Sequence, residues 1–250
     1  MSAELDQAHV VRSGRAILNQ ASGLCLPGKF TALCGPNGAG KTTALRVMTG
    51  SLIADQGRAL LDGTDLHRIK RLDLARRRAV VSQASALSFP FRVHEVVTMG
   101  RAPHFGTPSQ QRDDQIISDA IDAMQLRPFI ERNYLTLSGG EKKRVDIARS
   151  LAQVWDAPPS GQSRWLFLDE PTSALDLKYQ IELMKRLANL ARSGWGIVAV
   201  LHDLHLVHEY ADDVWLFKEG EIIEKGRAHD VLTATSIQET YGLDAPYTLA

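Results

Sequence analysis

The sequence predicts an α/β fold, a mostly parallel sheet with helices on either side. Three observations point there. The runs Phe30-Thr31-Ala32-Leu33-Cys34, Trp165-Leu166-Phe167-Leu168 and Gly196-Ile197-Val198-Ala199-Val200-Leu201 are nearly all apolar, as strands buried on both faces are. Segments of helical period lie between them, the alternation that gives a parallel sheet. The first run also enters a glycine-rich turn that opens a helix.

Taken in order, residues 8–34 read as short strands, Ala16-Ile17-Leu18 among them, with a turn at Leu26-Pro27-Gly28-Lys29 before Phe30. A helix follows from Lys41 to Met48 and stops at Thr49-Gly50, since glycine suits the left-handed position past a helix end. Arg58-Ala59-Leu60-Leu61 is a strand closing on the turn Asp62-Gly63, and residues 79–83 form a short buried strand. The segment 93–135 reads as helical, broken at Pro103, Pro108 and Pro128. Residues 141–155 form a helix whose Val145, Ala148, Leu151, Ala152 and Trp155 fall on one face. Residues 156–163 form a loop.

Composition narrows the function. A chain of 250 residues can bury a full core without disulfides or metal. Its 29 basic and 29 acidic residues cancel, which argues against a general nucleic-acid binder. Cys25 and Cys34 make no CxxC pair and no framework, as expected in a reducing compartment. Neither a leader peptide nor an apolar run of membrane-spanning length is expected.

The chemistry begins at Gly35-Pro36-Asn37-Gly38-Ala39-Gly40-Lys41-Thr42, which fits G-x-x-x-x-G-K-[ST] and sits between a strand and a helix. The glycines let successive N–H groups converge, and the helix start adds its positive end, so the turn suits phosphate. Lys41 is placed to reach the β- and γ-phosphates, Thr42 to ligate Mg²⁺, and Thr43 to close the site beside it. Asp169 ends the 165–168 strand and can hold Mg²⁺, while Glu170 can polarise a water for attack on the γ-phosphate. Gln83 ends another strand, and its amide can contact Mg²⁺ or that water. His202, after the 196–201 run, can reach the γ-phosphate from the other side. Ser138 is a helix cap, and Gly139-Gly140 expose the start of the next helix, a second place for an anion.

Leu137-Ser138-Gly139-Gly140-Glu141, with the phosphate turn, Gln83, Asp169-Glu170-Pro171-Thr172, Ser173-Ala174-Leu175-Asp176 and His202, resembles the full motif set of ABC-type ATPases in order and spacing. The resemblance implies a P-loop NTPase core of ABC type, with a small antiparallel β subdomain from residues near 8–34 and 57–66 and a helical subdomain at 84–155. Residues 1–83 and 156–250 make up the rest of one ABC ATPase domain. It implies ATP as substrate, Glu170 and His202 as catalytic, and a head-to-tail homodimer in which Ser138, Gly139 and Gly140 bind the other subunit's ATP, with residues 173–176 along the interface. Phe89-Pro90-Phe91-Arg92-Val93-His94-Glu95-Val96-Val97, Met99-Gly100-Arg101, Arg164-Trp165 and the 156–163 loop resemble the ATPase subunits of hemin importers, within a group that also serves siderophores and cobalamin. An integral membrane permease dimer and, indirectly, a periplasmic substrate-binding protein are the implied partners, nucleic acid is not, and the implied place is the cytoplasmic face of the inner membrane.

One departure stands out. The family stacks adenine on an aromatic residue before the 16–18 strand, and Val11-Arg12-Ser13-Gly14-Arg15 has none. Arg12 either stacks on the base or is solvated. His202, His205 and His208 recur every three residues, yet they read as one phosphate-sensing histidine and two ordinary ones. The basic stretch Arg68–Arg78 reads as a solvated helix face, and Cys34 as a small packed residue.

Overall fold

A computed structural model describes all residues except 84–86, 157–159, 161, 174, 246, 248 and 250. β1 (Ala3–Arg12) and β2 (Arg15–Cys25) form a hairpin about Ser13-Gly14, both at positive φ, the backbone a two-residue hairpin turn requires. β1 starts earlier than the sequence pattern suggests. Its buried residues are Ala3, Leu5, Ala8 and Val10, and the two-residue period slips at Gln7, whose φ is 52° and where the pairing shifts register.

β3 (Phe30–Cys34) leads into the phosphate turn and α1 (Lys41–Met48), which ends at Thr49 and Gly50 as expected. β4 (Gln56–Leu61) and β5 (Thr64–Asp65) flank Asp62-Gly63, both again at positive φ. The first sheet is antiparallel, in the order β2-β1-β4-β5. β3 is absent from it, although the expected small sheet included residues up to 34. A strand buried on both faces belongs at the centre of the larger sheet, and β3 lies there.

α2 (Arg71–Arg77) is followed directly by β6 (Arg78–Val81). The basic stretch is thus only partly a solvated face. Arg77 binds Asp62 at 2.7 Å, Arg76 donates to the Pro103 carbonyl at 2.8 Å, and Arg78 lies in the strand. The helical region holds α3 (Val93–Thr98), α4 (Asp113–Ala123) and α5 (Gly139–Gln153), joined by 3₁₀ turns at Met99–His104, Pro108–Arg112, Arg127–Phe129 and Tyr134–Thr136. Each expected proline break falls in one of these turns, where the missing N–H costs little. Arg101, buried, binds Asp113 and Asp156 and donates to the Ala152 carbonyl, so it ties these turns to α4 and to the end of α5.

The remaining elements are β7 (Trp165–Asp169), α6 (Leu177–Arg192), β8 (Gly196–Val200), α7 (Leu204–Tyr210), β9 (Asp213–Lys218), β10 (Glu221–Arg227), α8 (Ala228–Val231) and α9 (Ala234–Tyr241). The second sheet runs β10-β9-β3-β8-β7-β6, parallel from β9 to β6 with β10 antiparallel at the edge. Its strands alternate between two cores. Phe30, Ala32, Leu166, Leu168, Ile197 and Ala199 face α3–α7, whereas Leu33, Trp165, Phe167, Val198 and Val200 face α1 and the first sheet. Trp165 lies flat against Gly196, where a Cβ would collide with its ring. Burying a side chain of that size contributes at least ~2 kcal/mol. Because β3, β7 and β8 are parallel and in register, Gly35, Glu170 and His202 emerge at one edge of the sheet.

Candidate functional site

The cradle is built by backbone first. Gly35, Gly38 and Gly40 have φ of 140°, 77° and 101°, conformations that L side chains rarely adopt. They wrap the turn around the start of α1. Lys41 Nζ lies within it, donating to the carbonyls of Gly35 and Pro36 at 2.7 Å each. Burial pushes its ammonium below the usual lysine range, which sharpens its need for an anionic partner. A cleft of about 150 Å³ is lined by Asn37, Gly38, Ala39, Gly40, Lys41, Thr42 and Thr43, with Ile17, Glu170 and His202 closing it.

The carboxylates sit where the β7 strand delivers them. Thr42 Oγ1 donates to Asp169 Oδ1 at 2.9 Å. Glu170, the next residue, has a φ of 49°, a left-handed backbone that residues other than glycine adopt uncommonly. Its carboxylate is held at both oxygens, by Gln83 Nε2 at 2.9 Å and by His202 Nε2 at 2.8 Å. The structure therefore gathers Glu170, His202 and Gln83 beside the cradle. Gln83 is bonded to Glu170 rather than to the Thr42–Asp169 pair.

A buried residue outside the sequence motifs joins them. Lys143, on α5, donates to the Ser82 and Gln83 carbonyls at 3.1 and 3.2 Å. Burial lowers its pKa as well. Nothing in the sequence singled it out, because its partners are main-chain atoms about sixty positions away.

Ser138, Gly139 and Gly140 line a different cleft, of about 320 Å³, with Glu141, Arg144, Leu175, Asp176 and Tyr179. None of these residues lines the cradle. Ser138 caps α5 in a reciprocal box: its Oγ accepts from Glu141 N at 3.3 Å, and its N–H donates to Glu141 Oε2 at 2.8 Å. The cap starts α5 two residues ahead of the expected 141, and the helix ends at Gln153, before Trp155. Asp176 caps α6, and Ser173 Oγ donates to the Glu170 carbonyl at 3.0 Å. Ala174 lies outside the described residues, as do parts of the expected 156–163 loop.

The three spaced histidines part company. His202 meets Glu170, His205 meets Tyr247 at 2.9 Å and His208 meets His229 at 2.9 Å. Arg12 forms an ion pair with Asp55 at 3.5 Å and does not line the cradle, whereas Ile17 does. Cys25 and Cys34 are free and buried, and burial pushes both thiols up to about 12. Among the described residues no helix is long and apolar enough to cross a membrane.

A phosphate cradle and an acidic strand end, side by side on the carboxyl edge of one parallel sheet, define a P-loop nucleotide-hydrolysing fold. Its second sheet and capped α5 narrow this further. The ABC transporter family matches residues 18–173, and the chain belongs to that family. It is 44% identical over 231 residues to the hemin import ATP-binding protein HmuV of Gloeobacter violaceus, covering 92% of this chain and 84% of that one. The protein of the same name from Hahella chejuensis is 42% identical, over 94% and 91% of the two chains. Among solved structures, cbiO1 of Clostridium perfringens, part of the ABC transporter complex cbiONQ, superposes with a TM-score of 0.79 at 26% identity, covering 97% of this chain and 94% of that one.

Proposed function

We propose that this chain is the ATP-hydrolysing subunit of an importer that moves hemin through a membrane permease. The cargo rests on one observation: relatives 38–44% identical over more than nine-tenths of the chain are named hemin import ATP-binding proteins. The ATPase reading rests on Glu170, held beside the cradle by Gln83 and His202.

ATP enters with its phosphates against the N–H groups of residues 35–43. Lys41 turns from the Gly35 and Pro36 carbonyls to the β- and γ-phosphates. A hydroxyl and a carboxylate already in contact suit a hard cation, so Thr42 and Asp169 would hold Mg²⁺, with Gln83 alongside. That ion would offset the charge gathering between the β- and γ-phosphates. Glu170 orients the attacking water and takes its proton as the γ-phosphate leaves ADP. His202 moves from Glu170 to the γ-phosphate oxygens, and Gln83 swings with the water.

Ser138, Gly139 and Gly140 sit in a cleft separate from the cradle, which supports a homodimer in which each such cleft covers the partner's ATP. In this reading the helical part, 84–155, is the arm on the core of 1–83 and 156–250. Closure on ATP moves the arm, and the arm moves a permease dimer docked on the cytoplasmic face of the inner membrane. A periplasmic binding protein delivers the cargo on the far side. Phe89 and Phe105, 69% and 80% exposed, are apolar groups on that arm suited to a docking groove. Phe89→Asp should abolish transport and leave basal ATPase intact.

The test is reconstitution in liposomes with a permease of the hemin-importer class, adding hemin-loaded binding protein, with Glu170→Gln as control. Stimulation by the loaded protein that disappears in the variant supports the whole reading. Activity indifferent to hemin but lost in the variant keeps the ATPase and discards hemin in favour of siderophores or cobalamin. Activity that survives Glu170→Gln removes Glu170 as the base.

A further inference from the structure

The last residue of α9 reaches the first residue of the phosphate turn. Gly35 N–H donates to Tyr241 Oη at 3.0 Å, across 206 positions of sequence. On its other side Gly35 has no room, since a Cβ there would collide with the Phe217 carbonyl oxygen of β9. Its own carbonyl accepts from Lys41 Nζ. The residue is therefore fixed by Tyr241 at its nitrogen and by β9 at its α-carbon, and its oxygen holds the lysine of the cradle.

Tyr241 is itself well anchored. Its ring packs against the core that contains Phe30, Ala32 and Cys34. α9 is capped by Thr233, whose Oγ1 accepts from Ser236 N at 3.1 Å, and Lys218 Nζ donates to the Glu239 carbonyl at 2.7 Å. Burial holds the phenol above the usual tyrosine range, so it stays a neutral hydroxyl. Past Tyr241 the chain turns at Gly242, whose φ is 65°, and Tyr247 meets His205, three residues after His202. One C-terminal segment thus touches both the phosphate turn and α7, the helix that follows His202.

We infer that Tyr241 is a positioning residue for ATP. It fixes the Gly35 peptide, so the turn meets the phosphates with its N–H groups already aimed. Preorganisation of this kind strengthens binding without new contacts to the ligand. The inference rests on the ATP-binding reading of the cradle, and it makes a separable claim. Tyr241 contributes to holding ATP, whereas Glu170 and His202 contribute to cleaving it.

The experiment compares the full chain with Tyr241→Phe, which keeps the ring and removes the acceptor. Three quantities are read: the ATP dissociation constant by calorimetry, KM and kcat from steady-state hydrolysis, and the nucleotide-free melting temperature. The expected result is a Kd and KM raised roughly 5- to 10-fold, the scale of re-ordering one loosened peptide when ATP binds. The turnover number should stay within about 2-fold, since transition-state contacts are untouched, while nucleotide-free melting should fall by a few degrees, because the bond is present without ATP as well. A Kd within about 2-fold of the parent overturns the inference, as does a loss of kcat at unchanged KM. Should the phenylalanine variant fail to fold, fluorinated tyrosines at position 241 serve instead. They keep the shape and weaken the oxygen as an acceptor, so Kd should rise with each added fluorine, and a flat series overturns the inference. A parent chain that binds no ATP would instead sink the reading of the cradle itself.

Discussion

Glu170 and Asp62 show two ways in which one carboxylate can matter. Glu170 has a positive φ and two side-chain partners. Replacing it with glutamine keeps the shape and most of the hydrogen-bonding reach but removes the proton acceptor. ATP should still bind while kcat falls by at least about 100-fold, the usual scale of a lost general base; a rapid-quench assay beside a binding titration checks this. Asp62 does no chemistry. Its side chain, 6% exposed, accepts from Ser2 N, Arg77, Ser163 N and Ser163 Oγ. It therefore pins the first sheet to α2 and to the approach to β7. Asp62→Ala should cost about 3–5 kcal/mol, because it strands the partly buried Arg77 guanidinium; urea unfolding measures it, and a loss under about 1 kcal/mol would show that Arg77 finds water instead. The cradle and the strand-end carboxylates were legible in the sequence because their geometry is local. Lys143 and Tyr241 were not, because their partners are main-chain groups far along the chain, and a lysine or tyrosine carries no mark of such a bond.

At the scale of elements, the buried parallel strands were the clearest feature. A short run without polar alternation, rich in β-branched or aromatic residues and bounded by turns, fits a strand inside a covered sheet, and β3, β7 and β8 all lie in one. β1 was less clear, since the Gln7 irregularity breaks the period that would have revealed its first half. The 3₁₀ turns of the helical region are set by tertiary contacts such as those of Arg101, and no local period encodes them. The start of α5 supplies a prediction of its own. Its Ser138–Glu141 box holds the Glu141 carboxyl below its usual value, chiefly through the Ser138 N–H. A carboxylate lowered in the folded state adds stability that is present above its unfolded pKa and is lost as pH falls through the folded value. That contribution should be intact at neutral pH and fade below about pH 4.5, the ordinary value. Glu141→Gln can still accept the bond and does not titrate. Urea midpoints at pH 7 and pH 4 should therefore drop less in the variant than in the parent, by a small margin because the group is largely solvated. Equal drops would mean that the box carries no charge-dependent stability.

At the scale of the whole molecule, the decisive fact is that the two anion-suited clefts share no residue. In the proposed dimer, Ser138 and its neighbours serve the partner chain's ATP. Two identical chains facing head to tail can then close two sites at once by a two-fold axis, which makes each contact twice. A mixing experiment isolates this claim from every other one. Lys41→Ala loses its cradle and keeps its α5 start, whereas Ser138→Arg keeps its cradle and blocks its α5 start. Each variant alone should be inactive, since every site in its homodimer has one broken half. In an equal mixture about half of the dimers pair one chain of each kind, and each of those carries one site with both halves intact. If the sites turn over independently, ATPase activity should reappear at roughly a quarter of the parent value and rise steeply with protein concentration. A mixture no more active than its components, with mixed dimers shown by co-purification of an untagged variant with its tagged counterpart, would mean that the cleft at Ser138 does not complete a partner's site. The dimer would then have to be rebuilt around another face of the chain.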